Sequence, residues 1–173
     1  MNFQEIYINH KKLVFNLALQ YSQNTEDAEE ITQDVFVKIH EKLDSFQNQS
    51  EIKTWIYRIT VNQSLDYLKA KRSQKRWQLF SALRIDNNDK TFELPNFHHP
   101  GIELEQKESL ELIFKCINQL PDNQKTALIL LKIEQMSQAE TADVMIMSSK
   151  AVESLFQRAK KNLEKLLNQN EGL

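Results

Sequence analysis

Trp55-Ile56-Tyr57-Arg58-Ile59-Thr60-Val61-Asn62 opens a strongly basic helix that runs to about Arg76, and some sixty residues later Leu120-Pro121 begins a stretch, ending near Leu167, with the pattern of a helix-turn-helix. In the second stretch, Ser137-Gln138-Ala139-Glu140-Thr141-Ala142 reads as a short helix. Met145-Ile146-Met147-Ser148 is a tight connection, and Val152, Leu155, Phe156, Ala159, Leu163 and Leu166 form the apolar stripe of a last helix. Small Ala142 lets two helices approach closely, Ser148 or Ser149 can cap the second, and Val152 is placed to pack back on the first. A basic aromatic helix and a helix-turn-helix in one chain point to a protein that holds DNA at two places.

Working outward, Phe3 to Tyr21 reads as an amphipathic helix with Ile6, Leu13, Leu17 and Tyr21 on one face. Asn24-Thr25 offers an N-cap, and acids fill the first turn that follows, where the helix dipole favours them. That helix buries Ile31, Val35, Phe36, Ile39 and Leu43. After a polar loop, Ser45 to Ser50, the basic helix begins near Ile52, with Trp55, Ile56, Ile59, Leu65 and Leu68 toward the core. The apolar pattern fades after Trp77, and Leu83 to Gly101 reads as a mobile linker. Periodicity returns with Leu104, Leu110, Ile113 and Ile117, Pro121 suits a first helical position, and Ala127 to Ile133 reads as buried helix. No stretch alternates as a strand does. The expectation is an all-α chain of two small helical domains joined by a flexible acidic linker, the second containing the helix-turn-helix.

With 2 Gly and 3 Pro in 173 residues, few helix breaks are expected. The single Cys116 excludes an internal disulfide and sits in apolar helical context, as a buried thiol in a reducing compartment would. Polar residues fill positions 2 to 12, unlike a signal peptide, and the longest apolar run, Ala127 to Leu131, is too short to span a bilayer, so a cytoplasmic location without membrane insertion is expected. The net charge of -2 is poor for a DNA binder, but the signs are segregated. Lys53 to Arg76 holds seven bases and one acid, Glu26 to Asp34 five acids and no base, Asp86 to Glu111 seven acids and two bases, and Ser148 to Leu167 five bases and two acids.

These blocks suggest roles. On the last helix Ser149, Lys150, Glu153, Ser154 and Gln157 fall opposite the apolar stripe, where base edges would lie, and Arg158, Lys160 and Lys161 suit phosphates. The competing reading is an ordinary helical hairpin with a cationic face. Ile146 counts against the motif, because it stands where a turn usually takes Gly, and a left-handed conformation costs a non-Gly residue roughly 1–2 kcal/mol. In the basic helix Arg58, Asn62 and the cluster Lys69 to Arg76 could track a phosphate backbone. Trp55 and Tyr57 could stack on unpaired bases, although Trp55 is equally suited to a core. Glu30, Gln33 and Asp34 make an acidic face for a basic partner, or a plain solvated surface. Catalysis finds no support: the only glycines, Gly101 and Gly172, cannot build a phosphate loop, His40-Glu41 lacks the second His of a zinc-protease helix, and His98-His99 with Cys116 has no metal-ligand spacing. No cofactor is expected.

The same residues resemble a bacterial RNA polymerase sigma factor of the extracytoplasmic-function (ECF) group. Asp27-Ala28-Glu29-Glu30-Ile31-Thr32-Gln33-Asp34-Val35-Phe36 resembles the family's core-docking helix. Thr54 to Asn62, with Asp66 four residues on, resembles its promoter-melting helix. Leu120-Pro121, Ala142, Ala151-Val152-Glu153-Ser154 and Arg158-Ala159-Lys160-Lys161-Asn162-Leu163 resemble its second DNA-binding domain. The resemblance implies that residues 1–76 dock on RNA polymerase core and open the minus-ten element, that 77–104 are linker, and that 105–173 read the minus-thirty-five element. It implies polymerase contacts at Glu30, Gln33 and Asp34, and minus-ten contacts at Gln47, Asn48, Gln49, Ser50, Trp55, Arg58, Asn62, Lys69, Lys71 and Arg72. The minus-thirty-five contacts would be Ser149, Lys150, Glu153, Ser154, Gln157, Arg158, Lys160 and Lys161. Many members carry a base at the position of Glu153, Arg at that of Leu155 and Gly at that of Ile146. Promoter DNA and polymerase core are the implied partners, and an anti-sigma factor is a further possible one. The alternatives are a helix-turn-helix regulator that binds duplex DNA without polymerase, and a helical adaptor that binds only protein.

Overall fold

The structure, a computed structural model, describes residues 2–46, 51–82 and 104–170. Among these, seven α-helices follow one another: α1 (Phe3–Ser22), α2 (Thr25–Lys42), α3 (Ile52–Ala82), α4 (Leu104–Asn118), α5 (Asp122–Leu128), α6 (Gln138–Met145) and α7 (Ser149–Asn170). No strand occurs among the described residues. Residues 47–50 of the expected loop Ser45 to Ser50, and most of the expected linker, including His98 and His99, lie outside them, while Ser45 ends a 3-10 turn, Leu43–Ser45.

Local chemistry sets the helix boundaries. The Asn2 side chain and Glu5 close a capping box on α1, and Asn24 Oδ1 accepts the Asp27 N–H at 2.8 Å to start α2. The Ser137–Glu140 capping box starts α6, and Ser148 Oγ accepts the Ala151 N–H at 3.2 Å to start α7. Pro121 stands one residue ahead of the first turn of α5 rather than inside it. Two other expectations need correction. First, α3 does not stop near Arg76 but continues to Ala82, since residues 77–82 contain no Gly or Pro and include the helix formers Gln78, Leu79 and Ala82. Second, Ala127 to Ile133 is not one regular helix: after Leu128 the chain widens into a π-helical turn, Ile129–Ile133, in which the Glu134 N–H reaches the Ile129 carbonyl at 3.0 Å.

Ile146 adopts the left-handed conformation, φ 55° and ψ 49°, that its place in the turn demands. Bonds from the turn back to Ala142, including the Met147 N–H at 3.0 Å, hold it there. The motif therefore forms despite the β-branched residue. Ile146 is 73% exposed, so its side chain gives little packing in return. Ile146→Gly should raise the stability of the chain by about 1 kcal/mol, measured by urea denaturation.

One apolar cluster belongs to the amino-terminal helices: Ile6, Val14, Ala18, Ala28, Ile31, Val35, Phe36, Ile39 and Ile56. The other joins the two halves of the chain. Leu17, Tyr21, Tyr57 and Val61 from α1 and α3 pack with Ile117, Leu120, Leu128, Ile129, Leu130, Val144 and Ala159. Polar bonds follow the same seam. Tyr21 Oη donates to Thr126 Oγ1 at 2.9 Å, and Gln23 Nε2 to the Phe114 carbonyl at 2.8 Å. The π turn brings Glu134 into the seam, where one carboxylate oxygen accepts from Gln20 Nε2 and the other from Tyr57 Oη, each at 2.6 Å. Burial, then the hydrogen bond and charge of Glu134, push the Tyr57 phenol well above its ordinary pKa.

Lys125 lies in this seam, 2% exposed, with its ammonium 5.4 Å from the Tyr21 ring centroid and 3.3 Å from Asn118 Oδ1. Burial pulls its pKa down to about 8; nearby Asp122 opposes that pull and Arg72 adds to it. An unfolded Lys holds its proton to about pH 10.4. Between those values the unfolded chain binds more protons, so stability from this residue rises from pH 8 to 10 and is lowest below 8. Lys125→Met should stabilise the fold by roughly 2 kcal/mol at pH 7, with the advantage shrinking toward pH 10 in pH-dependent denaturation.

Candidate nucleic-acid interface

Three surfaces carry the candidate residues. On α2, Glu30, Gln33 and Asp34 are all exposed. Their neighbours fix them from below. Glu30 Oε2 lies 2.8 Å from Tyr67 Oη, whose single proton it shares with Asp27 Oδ1 at 3.0 Å. Burial and then these two carboxylates push the Tyr67 phenol up. Asp34 Oδ2 accepts from Gln63 Nε2 at 2.7 Å, and Gln63 in turn accepts from the Lys38 ammonium. The carboxylates are thus oriented by α3 while facing solvent. Val37, four residues after Gln33 and seven after Glu30, lies on the same face and is 56% exposed. Sequence reasoning missed it, although its spacing from Gln33 could have shown it. Asp27 belongs to the acidic run but not to this face: it is buried and ion-paired to Lys71 at 2.5 Å.

On α3 the minus-ten candidates separate. Asn62, Lys69 and Arg72 are exposed, and Arg72 makes an ion pair with Asp122 at 3.5 Å. Lys71 has its ammonium on Asp27, so a phosphate must compete for it. Trp55 is half-buried, with its ring 4.8 Å from that of Phe46 and against the amino-terminal cluster. Arg58 turns toward the second domain: its Nη2 donates to the Asp143 carbonyl at 2.6 Å, while its buried Nε has no partner. Tyr57, a base-stacking candidate by its sequence, is 3% exposed inside the seam and presents no ring face to a ligand in this arrangement. Gln47, Asn48, Gln49 and Ser50 lie outside the described residues.

On α7 the geometry is simpler. Ser149, Lys150, Glu153, Ser154, Gln157, Arg158, Lys160 and Lys161 are all exposed, while Val152 and Ala159 are buried on the opposite side. Arg158 reaches back to the Ser154 carbonyl and hydroxyl, both at 3.3 Å. Lys160 and Lys132 sit over the half-buried Phe156 ring, 5.3 and 5.5 Å from its centroid. A row of polar and cationic side chains with one carboxylate, on a helix held out by a capped turn, has the form of a recognition helix. Glu134 and Asp143, which bind the two domains together, were not legible as such: each partner lies 77 to 114 residues away in the chain.

Comparison with known proteins fits this geometry. A family model for sigma-70 region 2 matches residues 6–74, and one for sigma-70 region 4 matches residues 110–163. The ECF RNA polymerase sigma-E factor of Haemophilus influenzae is 29% identical over 164 residues, covering 88% of this chain and 87% of its own. That of Escherichia coli K12 is 26% identical over 162 residues, covering 94% and 84%. Among solved structures, the sigma factor RpoE in complex with the anti-sigma factor NepR from Bartonella quintana superposes with a TM-score of 0.67 at 21% identity, covering 96% of both chains. CnrH in complex with the cytosolic domain of CnrY gives 0.65 at 23%, covering 96% of this chain and 88% of the other. At those identities the two structures speak for the fold alone. With regions 2 and 4 in order, on the two units that carry the charged surfaces, the chain belongs to the sigma-70 family, as an ECF sigma factor.

Proposed function

We propose that the chain binds RNA polymerase core and directs it to start transcription at particular promoters. The observation that carries this reading is the pairing, in one chain, of an exposed acidic face on α2 with two separate exposed cationic helix faces, on α3 and α7. A regulator that works without polymerase has no use for the first, and an adaptor has none for the other two. Residues 1–76 dock and melt, and 105–173 read the upstream element. Glu30, Gln33 and Asp34 meet the polymerase. Asn62 and the loop at 47–50 capture an unstacked base of the minus-ten element, while Arg58, Lys69, Lys71 and Arg72 hold its phosphates and Trp55 contributes a ring beside it. The chain acts as a cytoplasmic initiation factor rather than as an enzyme. Among the described residues no helix is long and apolar enough to cross a membrane. Both solved relatives are complexes with an anti-sigma factor or a partner's cytosolic domain, which supports a protein inhibitor for this chain as well. Gel filtration with core polymerase tests the docking half of the reading: the chain should co-elute with core and be displaced by another sigma factor. Separate elution at micromolar concentration and low salt would refute it.

On α7, Lys150 and Gln157 can donate to base acceptors, and Glu153 can accept from a cytosine amine. Glu153→Lys should therefore change which upstream sequences are preferred, by roughly 1–3 kcal/mol at the affected position. Lys161→Ala should weaken all sequences about equally and flatten the salt dependence. Selection from a library of upstream elements reads both effects, and an unchanged ranking for Glu153→Lys removes Glu153 from the base-reading set.

A further inference from the structure

Trp77 is 76% exposed, more than any other large hydrophobic residue described, and belongs to neither apolar cluster. Isolated exposed hydrophobics are common and need no explanation by themselves. The position of this one is what matters. It stands near the far end of α3, directly after the cationic run Lys69 to Arg76. Along that helix the exposed residues Asn62, Asp66, Lys69, Ser73 and Arg76 follow at steps of four, three, four and three, which is one face of an α-helix. Trp77, fifteen residues from Asn62, lies about 60° round from it and roughly 22 Å further along the axis. Between Tyr67 and Phe80 the sequence has five cations, Lys69, Lys71, Arg72, Lys75 and Arg76, and no acid. A polyanion with planar bases matches both the cationic run and the exposed indole.

We propose that Trp77 is a stacking site for an unpaired nucleobase of promoter DNA, at the far end of the same face that carries Asn62. The indole covers the base, and Lys69, Arg72 and Arg76 hold the flanking phosphates, the combination by which single strands are bound without sequence readout. The face would then engage a strand at two points about 22 Å apart, long enough to hold several nucleotides open between them. The inference rests on the reading of α3 as the promoter-melting helix.

The full chain, labelled with 5-fluorotryptophan, gives a test. It has only two Trp, Trp55 and Trp77, and the spectrum of Trp77→Phe assigns the resonances. A mixed-sequence 16-nucleotide single strand should shift the Trp77 resonance at low salt. A hairpin duplex of equal charge, or heparin, should leave it in place. Trp77→Ala should weaken single-strand binding about tenfold, and Trp77→Tyr should restore most of the loss. If the wild type binds the strand and Lys69→Glu weakens it while Trp77→Ala does not, the stacking role is overturned and the reading of α3 stands. Equal shifts with heparin or duplex also overturn it. No binding of the strand by the wild-type chain overturns both.

Discussion

A chain carrying Glu30→Lys and Asp34→Lys should lose affinity for core polymerase by roughly thirtyfold or more, since truncating or reversing charge-paired groups at an interface costs about 2–5 kcal/mol. The loss should shrink as salt rises in the wild-type comparison, because the wild type itself weakens with screening. Both carboxylates also accept hydrogen bonds from α3, from Tyr67 and Gln63, so the reversal disturbs the domain as well as the surface. Val37→Asp removes that ambiguity. Val37 is exposed on the same face, and no described hydrogen bond or ion pair depends on its side chain. A folded Val37→Asp chain should lose core affinity about tenfold, while Glu164→Lys on α7 should leave it unchanged. Fluorescence-anisotropy titration of labelled core reads all three, and wild-type affinity in the two α2 variants would remove α2 from the interface.

Releasing the seam between the domains should strengthen promoter binding by the chain without polymerase. One N–H of Arg58 Nη2 is engaged by the Asp143 carbonyl, and Tyr57 is covered by the second domain. This arrangement of the domains therefore engages Arg58 and covers Tyr57, while Asn62, Lys69 and Arg72 stay open. Glu134→Ala deprives Gln20 and Tyr57 of their shared acceptor. A donor left unsatisfied in a buried site costs about 1–3 kcal/mol, and that cost falls on this arrangement alone. Since about 1.4 kcal/mol is tenfold in a population, affinity for a fork-junction promoter fragment should rise about fivefold to tenfold, and small-angle scattering should show a larger radius of gyration. Tyr57→Phe should give a smaller change of the same sign. Unaltered scattering and unaltered fork affinity in Glu134→Ala would show that the seam does not gate DNA.

What was legible in the sequence was whatever depends on neighbours along the chain. The apolar stripes of α1, α2 and α7 follow from spacings of three and four, and the starts of α2 and α7 from Asn24 and Ser148. The exposed polar row on α7 follows from the stripe of Val152 and Ala159 by subtraction. What was hidden depends on contacts between distant segments. Nothing near Tyr57 distinguishes an aromatic ring meant for a base from one meant for Leu130 and Val144. Lys71 looks like its cationic neighbours until α2 places Asp27 against it. The end of α3 was hidden because Arg72 and Lys75 interrupt the apolar stripe of Leu65 and Leu68, although no Gly or Pro breaks the helix that follows. Ile146 shows the opposite case: a residue unfavourable for its turn was outweighed by the bonds around it.

Run-off transcription from a pool of genomic promoter fragments tests the central claim most directly. Core polymerase alone and the chain alone should yield no specific transcripts. Core with the chain should yield discrete transcripts from a limited set of fragments that share two upstream elements, and the set should shift when Glu153 is replaced by Lys. If the chain binds those fragments equally well without core, and adds no transcript when core is present, it does not act as an initiation factor.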